Sequence, residues 1–537
     1  MKSKILLCIL LFATLASIPF LVPGCGWVAL FAFIPLLQFA DLATKNPIRK
    51  KGWWVYLAFL IFNFATTFWI NWISVPGAFF AITLNALQMW LIFMVFLWSR
   101  KYFKGGLSYL LLITMWIAWE RGYQNVEISW PWLILGNSLA TCPKLAQWYE
   151  FTGFLGGTLW IWLSNIFIYE TAKALRRKSQ TKYDTRGKIA LTAFTAILLI
   201  APPVASLIIY NNYTETSDPV EVVAIQPNID SYTEKHGGLS QAVQDERLLA
   251  LARTQITEST DFVITPETYT FQFNLDAPEN NVTYQGVQGL LKDYPHANFL
   301  LGAITYRLFP TKAKAPISAR PIGDQWYCSY NDAMMIDTTG LRSFYHKSKL
   351  VPAVEIIPYQ RYLGFLARIF DLFGGSMSSY GVSDDVNNLT TKDGIDVGAM
   401  ICYESIYGEY FRRTAKYGAK FVAVITNDGW WGDTPGYRQH FRFAKLRAIE
   451  NRRDIVHVAN TGISGFINQR GDVLQRTGWW EPVAIKGTVN LNEKQTCYTT
   501  YGDVTGRICS FIFLLIFILL LVRRLTSGQP RTSARKS

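Results

Sequence analysis

A chain of 537 residues, half of them hydrophobic and 15% aromatic, is too long for one ordinary domain and too apolar for an average soluble one. Its formal charge of +14 suggests a nucleic-acid partner only until the charges are placed. Residues 211–507 carry 29 Lys and Arg against 32 Asp and Glu, whereas the rest carries 23 against 6, so the basic surplus belongs entirely to the apolar part and nucleic acid is excluded.

Long apolar runs fill the first 210 residues. They predict spans near 4–22, 26–42, 53–73, 78–98, 106–122, 151–172 and 189–210, with an eighth at 508–522. Crossing the hydrocarbon core takes about 20 apolar residues, and the second and last runs are short by that measure. Residues 1–24 also have the basic start and apolar core of a cleaved signal peptide, and "VPGC" hints at a lipoprotein cleavage site. The proline beside the glycine and the spans that follow at once favour an uncleaved first helix. Residues 119–139 are apolar but interrupted by Glu120, Arg121, Glu127 and Pro131, and are expected to lie as an outer loop along the membrane interface, where tryptophan is favoured. With the N-terminus inside, the inner segments hold 21 Lys and Arg, while the short outer loops hold only Arg121 and Lys144. That asymmetry places both termini in the cytoplasm and residues 211–507 across the membrane.

From Pro219 the pattern changes. "VEVVAIQ", "DFVITPE", "ANFLLGAITY", "YNDAMMID", "IDVGAMIC", "KFVAVITN" and "DIVHVAN" read as strands, with helical stretches near 240–257 and 437–451. Near-continuous apolar strands imply sheets covered on both faces. The expected division is a membrane domain of about seven spans over 1–210, an α/β domain over 211–507, a last span over 508–522 and a basic tail over 523–537. The seven cysteines show no CxxC pair and no zinc-ligand spacing, so no metal is expected; a Cys328–Cys497 disulfide is left open.

Three groups stand at strand ends. Glu267 follows the run in "VITPETYTF", Lys347 lies in "FYHKSKLVPAVEIIP" with Glu355 eight residues on, and Cys402 closes "GAMIC". Singly, each has an ordinary reading: a solvated loop carboxylate, a surface lysine, a core thiol. Together they suffice for acyl transfer. A thiol needs a base or a nearby cation to become a nucleophile. A carboxylate can take its proton and return it to a leaving group, and an ammonium stabilises both thiolate and oxyanion. No histidine is required, although His440 and His457 stay open as partners.

"VITPE", "YHKSKLVP" and "MICYES", in this order, resemble the Glu–Lys–Cys triad of the nitrilase superfamily of carbon–nitrogen hydrolases, which implies an α/β/β/α sandwich. "TNDGWWGDTPGYRQHFRFAKLRAIENRRDIVHVANTGISGFI", together with the spans before and after, resembles the apolipoprotein N-acyltransferase branch. The resemblance implies Glu267 as general base, Lys347 as oxyanion stabiliser and Cys402 as nucleophile. Glu355, Tyr403 and Glu404 would support them, the Tyr403 amide completing the oxyanion hole, and Asn228 would match a loop asparagine after the first strand. Ala353–Val354 stands where the family commonly has Phe–Gly, and Lys349 where histidine is common.

The implied reaction has two steps: Cys402 takes an acyl chain from a phospholipid as a thioester, and the α-amino group of a lipoprotein's N-terminal diacylglyceryl-cysteine then receives it. No cofactor is implied, the expected partners are those two lipids and a bacterial inner membrane, the α/β domain is expected in the periplasm, and the chain is expected to be a monomer. In residues 362–375, Leu363, Leu366, Phe370 and Phe373 recur at helical spacing, which fits either a core helix or an arm that dips into the interface and gates the site. The competing reading is a membrane-anchored amidase or nitrilase of the same fold, in which water resolves the thioester.

Overall fold

The computed structural model describes residues 2–46, 48–103, 106–176, 184–235, 238–366, 379–383 and 386–527. Among the described residues, seven stretches are long and apolar enough to cross a membrane: Lys2–Leu21, Gly26–Lys45, Lys51–Trp72, Val75–Ser99, Tyr149–Arg176, Thr185–Asn212 and Val504–Thr526. The helix Leu107–Tyr123 answers to the span predicted at 106–122 and is shorter, at 17 residues. The last helix runs well past its expected edges, because helical hydrogen bonding continues through the Thr and Arg residues that flank its apolar run. The second span breaks at Phe33. There the Phe33 amide donates to Asn165 Oδ1 (2.7 Å), and Asn165 Nδ2 donates to the Ala29 carbonyl (2.8 Å). In lipid, freed backbone groups need such internal partners. Aromatic rings fill the bundle, with Phe33 set 5.1 Å from Phe12 and 4.4 Å from Trp162.

Residues 119–139 do not form the interfacial loop expected of them. Glu120 is fully buried and accepts hydrogen bonds from Trp116 Nε1 (3.0 Å), Thr158 Oγ1 (2.7 Å) and the Leu135 amide (2.8 Å). These donors curl the segment inward, and Trp132, Leu133, Leu135 and Leu139 are buried between the bundle and the α/β domain. The tryptophans pack on protein, not on headgroups: Trp132 Nε1 donates to Gln439 (2.6 Å), and Gln439 donates to the Thr66 carbonyl (3.2 Å).

Every strand expected from the sequence forms, and the strands divide into two sheets. The first runs Val483–Asn490, Pro219–Gln226, Phe262–Ile264, Asn298–Phe309, Gln325–Asp337, Arg320–Ile322, with Thr270–Asn274 and Gly340–His346 also paired to it. The second runs Val473–Arg476, Gly465–Ile467, Ile455–Ala459, Phe421–Thr426, Asp396–Ile401, Leu389–Thr390. Alternation along the strands builds three apolar layers. Val222 and Ala224 face Val397, Ala399, Ile401, Ala423 and Ile425 between the sheets. Val223 and Ile225 face outward to Leu248 and Leu290, on the helices Gln241–Arg253 and Val282–Asp293. Met400, Val422 and Val424 face the helices Gly408–Lys416 and Pro435–Asn451. The result is the α/β/β/α sandwich. The last helical layer shares one apolar cluster with the membrane bundle. Cys328 and Cys497 are both free thiols, so the disulfide left open does not form.

Candidate active site

The site lies where strands end in strained turns. Cys402 follows the strand Asp396–Ile401 and takes φ +52, and Thr268, next to Glu267, takes φ +48. Left-handed backbone at residues other than glycine is costly and tends to gather at functional sites. On the neighbouring strand, Gly302 admits the turn: a Cβ there would come within 2.2 Å of the Pro266 carbonyl oxygen. Lys347 follows the strand Gly340–His346, its amide donating to the Asn331 carbonyl across the ladder (2.8 Å).

These turns bring Glu267, Lys347 and Glu355 together. Lys347 Nζ donates to Glu267 Oε1 and to Glu355 Oε1, each at 2.9 Å. The lysine is fully enclosed, and the two carboxylates hold it firmly as an ammonium: burial opposes its charge, but Glu267 and Glu355 together overcome that and raise its pKa. Asn331 Nδ2 reaches the same two oxygens, at 2.8 and 3.1 Å, and the Val351 amide donates to Glu355 Oε2 (2.8 Å). Lys235 Nζ lies on the other side of the Glu267 turn, 3.0 Å from Thr268 Oγ1 and 3.5 Å from the Glu267 carbonyl; burial pushes its pKa down to about 8.

Cys402 stands where the inter-sheet core meets the outer core and packs against both. Its pKa is raised well above that of a free thiol, first by burial and then by the charge of Glu267, while Lys347 pulls it back down. The resting sulfur is therefore a thiol, and a neighbouring base must take its proton during attack.

The flanking residues are braces. Glu404, fully buried, accepts from Tyr345 Oη (2.7 Å), the Ser348 amide (2.6 Å), the Lys349 amide (3.0 Å) and the Ile401 amide (3.0 Å). One carboxylate thus joins the cysteine turn to the lysine turn. Tyr403 Oη donates to the Ser129 carbonyl (2.6 Å), and its ring stacks on Trp130 at 5.8 Å. The Cys402 carbonyl accepts from Ser405 Oγ (2.8 Å) and lies 3.1 Å from His440 Nε2, whose Nδ1 is 3.0 Å from Asp428 Oδ1.

Asn228 does not reach the charged cluster. Its amide donates to the Asn460 carbonyl (3.0 Å), and it takes φ +52. Of the expected arm, the backbone turns through Gln360–Leu363 and Gly364–Leu366, with the side chains of Tyr362 and Phe365 exposed. Phe370, Phe373 and the side chains of Leu363 and Leu366 lie outside the described residues. Ala353 takes φ +64, a conformation that favours glycine, within the stretch where the family pattern differs. Lys349 sits over the Tyr407 ring at 5.4 Å.

Sequence reasoning missed Asn331, Lys235 and the buried segment behind Tyr403. Asn331 is the second residue of a predicted strand, and the register that pairs Asp332 with His346 sets it beside Lys347, so strand pairing was the signal that could have found it. Among the described residues, Asp428, His440 and His457 place ligand atoms within 4.8 Å of one another, the one grouping there suited to a metal. The inner His440 nitrogen already faces Asp428, and His457 Nδ1 is 2.9 Å from the Ile463 carbonyl. Burial pushes the pKa of His457 down to about 4.

A family model described as carbon–nitrogen hydrolase matches residues 224–497, and one described as apolipoprotein N-acyltransferase N-terminal domain matches residues 12–167. An apolipoprotein N-acyltransferase of Chlorobaculum tepidum is 27% identical over 93% of this chain and 92% of its own length. One of Pasteurella multocida is 26% identical over 95% and 92%. A Saccharomyces cerevisiae protein of branch 10 of the nitrilase superfamily overlays 52% of this chain and 92% of its own with a TM-score of 0.36 and 15% identity. The sheet topology and the family matches, not this last likeness, place the fold: the chain is a membrane protein that belongs to the carbon–nitrogen hydrolase family, with the N-terminal domain of the apolipoprotein N-acyltransferases joined to it.

Proposed function

We propose that this chain is an acyltransferase that moves an acyl chain from a phospholipid to the α-amino group of a lipoprotein's N-terminal diacylglyceryl-cysteine, with Cys402 as the carrier. The observation that carries this reading is an ammonium clamped between two carboxylates beside a half-buried thiol, in a domain whose core runs into a membrane bundle. An amidase acting on a soluble substrate has no use for that bundle.

In the first step Cys402 Sγ attacks the ester carbonyl as Glu267 takes the thiol proton. Two of the three Lys347 protons are engaged by Glu267 and Glu355, and the third faces the oxyanion together with the Tyr403 amide. When the tetrahedral centre collapses, the carbon–oxygen bond breaks and Glu267 returns the proton to the departing lysophospholipid. In the second step the acceptor amine attacks the thioester, Glu267 takes a proton from nitrogen, the carbon–sulfur bond breaks, and the proton restores the thiol. Glu355, Tyr403 and Glu404 position these groups. Asn228 shapes the loop after the first strand, and the arm bearing Leu363, Leu366, Phe370 and Phe373 admits the acyl chains. Residues 1–210 form the membrane domain, 211–507 the catalytic domain, 508–522 the core of the last span and 523–537 the tail.

The α/β domain lies in the periplasm of a bacterial inner membrane and both termini in the cytoplasm. Two observations support this: the Lys and Arg bias of the short loops, and the packing of the domain against the ends of the first and third spans opposite their basic flanks, where Arg442 reaches the Leu21 carbonyl and Tyr232 the Trp72 carbonyl.

The test is intact mass of protein purified from membranes. The expected result is an acyl increment removed by neutral hydroxylamine, absent from Cys402→Ser, and discharged by a diacylglyceryl lipopeptide with formation of the acylated peptide. Free fatty acid as the only product, with and without the lipopeptide, overturns transfer in favour of hydrolysis.

A further inference from the structure

On the side of the helix Pro435–Asn451 that faces away from His440, a cavity of about 600 Å³ is lined by Arg438, Arg442, Lys445 and Arg476, with Tyr437 and Trp479 stacked at 4.2 Å in its wall. Four cations converge there against three neighbouring carboxylates, of which Glu481 accepts from the Gly478 amide in the cavity wall. Asp433 is taken by Arg438 (2.5 Å), and Asp472 by Tyr210 (2.9 Å) and Arg470 (3.6 Å). Burial and neighbouring cations hold two of these groups below their ordinary pKa values, Arg438 and Arg476 acting on Arg442, and Arg442 and Arg476 on Lys445, a penalty that an anion in the cavity would relieve.

The depth of the cavity points to its ligand. Arg442 Nη1 donates to the carbonyl of Leu21 (3.4 Å), the last residue of the first membrane helix, so the cations stand at the boundary where that helix leaves the hydrocarbon. A tryptophan and a tyrosine beside them suit the same layer. Guanidinium groups match the oxygens of a phosphate in paired hydrogen bonds, and an ammonium adds a point charge. The helix separates this cavity from the thiol: its residues 438, 442 and 445 line the cavity, while His440 and Arg447 on the opposite face contact the Cys402 and Ile406 carbonyls.

We propose that this cavity is a phosphate site distinct from the catalytic centre, which holds the phosphodiester of a bilayer phospholipid and fastens the α/β domain to the headgroup layer. The inference rests on the first helix crossing the membrane and does not depend on the fate of the acyl chain.

The experiment uses the full chain in micelles doped with phosphatidylglycerol, or with diacylglycerol as a phosphate-free control, and reads lipid retention by native mass spectrometry. The expected result is retained phosphatidylglycerol but not diacylglycerol, and roughly tenfold or greater loss in Arg442→Gln/Lys445→Gln, from the approximate worth of each basic residue near a lipid surface. Thioester formation at saturating donor should be the same in parent and variant. Should the double variant fail to fold, Arg476→Gln, at an exposed position, carries the same comparison. Equal retention in parent and variant overturns the proposal. Displacement of the lipid by inorganic phosphate at comparable concentration assigns the cavity to a soluble anion and overturns the lipid assignment. Loss of thioester formation in a folded variant merges the cavity with the donor site and overturns its separateness, whereas absence of a thioester in the parent fails the acyltransferase reading alone.

Discussion

At Cys402 two charges of opposite sign act on one sulfur, and they can be separated. Burial and Glu267 raise the thiol's pKa while Lys347 lowers it, so at a given pH the thiolate fraction should fall when the cation is removed and rise when the anion is. Alkylation by iodoacetamide at pH 8, read for this cysteine by peptide mass spectrometry, should be slower than for a free thiol. It should be slower still in Lys347→Met and faster in Glu267→Gln. The same order in reverse would remove Glu267 from the neighbourhood of the sulfur. The meeting of Glu267 and Lys347 was legible because each follows a recognisable strand in a recognisable phrase. Asn331 was not, because its role comes from lying across a ladder from Lys347, and a single chain read in order does not display its strand pairings.

Elements with a clear apolar pattern were read correctly: the strand 396–401, a near-continuous apolar run covered on both faces, and the helix 435–451 form close to where their patterns put them. The segment 119–139 was misread for a physical reason. Its composition suits a headgroup layer, but what decides its place is three donors gathered by one carboxylate, Glu120, and two of them come from residues 15 and 38 positions away. Glu120→Ala should leave the Trp116, Leu135 and Thr158 donors unpaired and cost about 3 kcal/mol or more. The measurement is thermal unfolding in detergent. An unchanged midpoint would show that water replaces the carboxylate and that the segment does not depend on it. Because Ser129 and Trp130 in this segment hold Tyr403, the same variant should also slow thioester formation.

At the scale of the whole molecule, one apolar cluster runs from Phe12 and Trp116 in the bundle through Trp132 and Phe443 to Val424 in the second sheet. Two domains that share a core this way should not melt apart. Differential scanning calorimetry is expected to give a single transition, and two resolved transitions would show that the shared layer is a docking contact between independent folds. The bundle and sheets covered on both faces could each be inferred from hydropathy, and the sandwich was what the resemblance of the triad phrases implied. Their fusion could not, since it depends on side chains such as Gln439 reaching Thr66 from far along the chain. The double hold of Glu404 on the backbone at Ile401 and at Ser348 carries a consequence for turnover. A sulfur and an ammonium moored to one post keep station through both half-reactions. The movement that admits one bulky lipid and releases another is then left to parts of the molecule outside this brace.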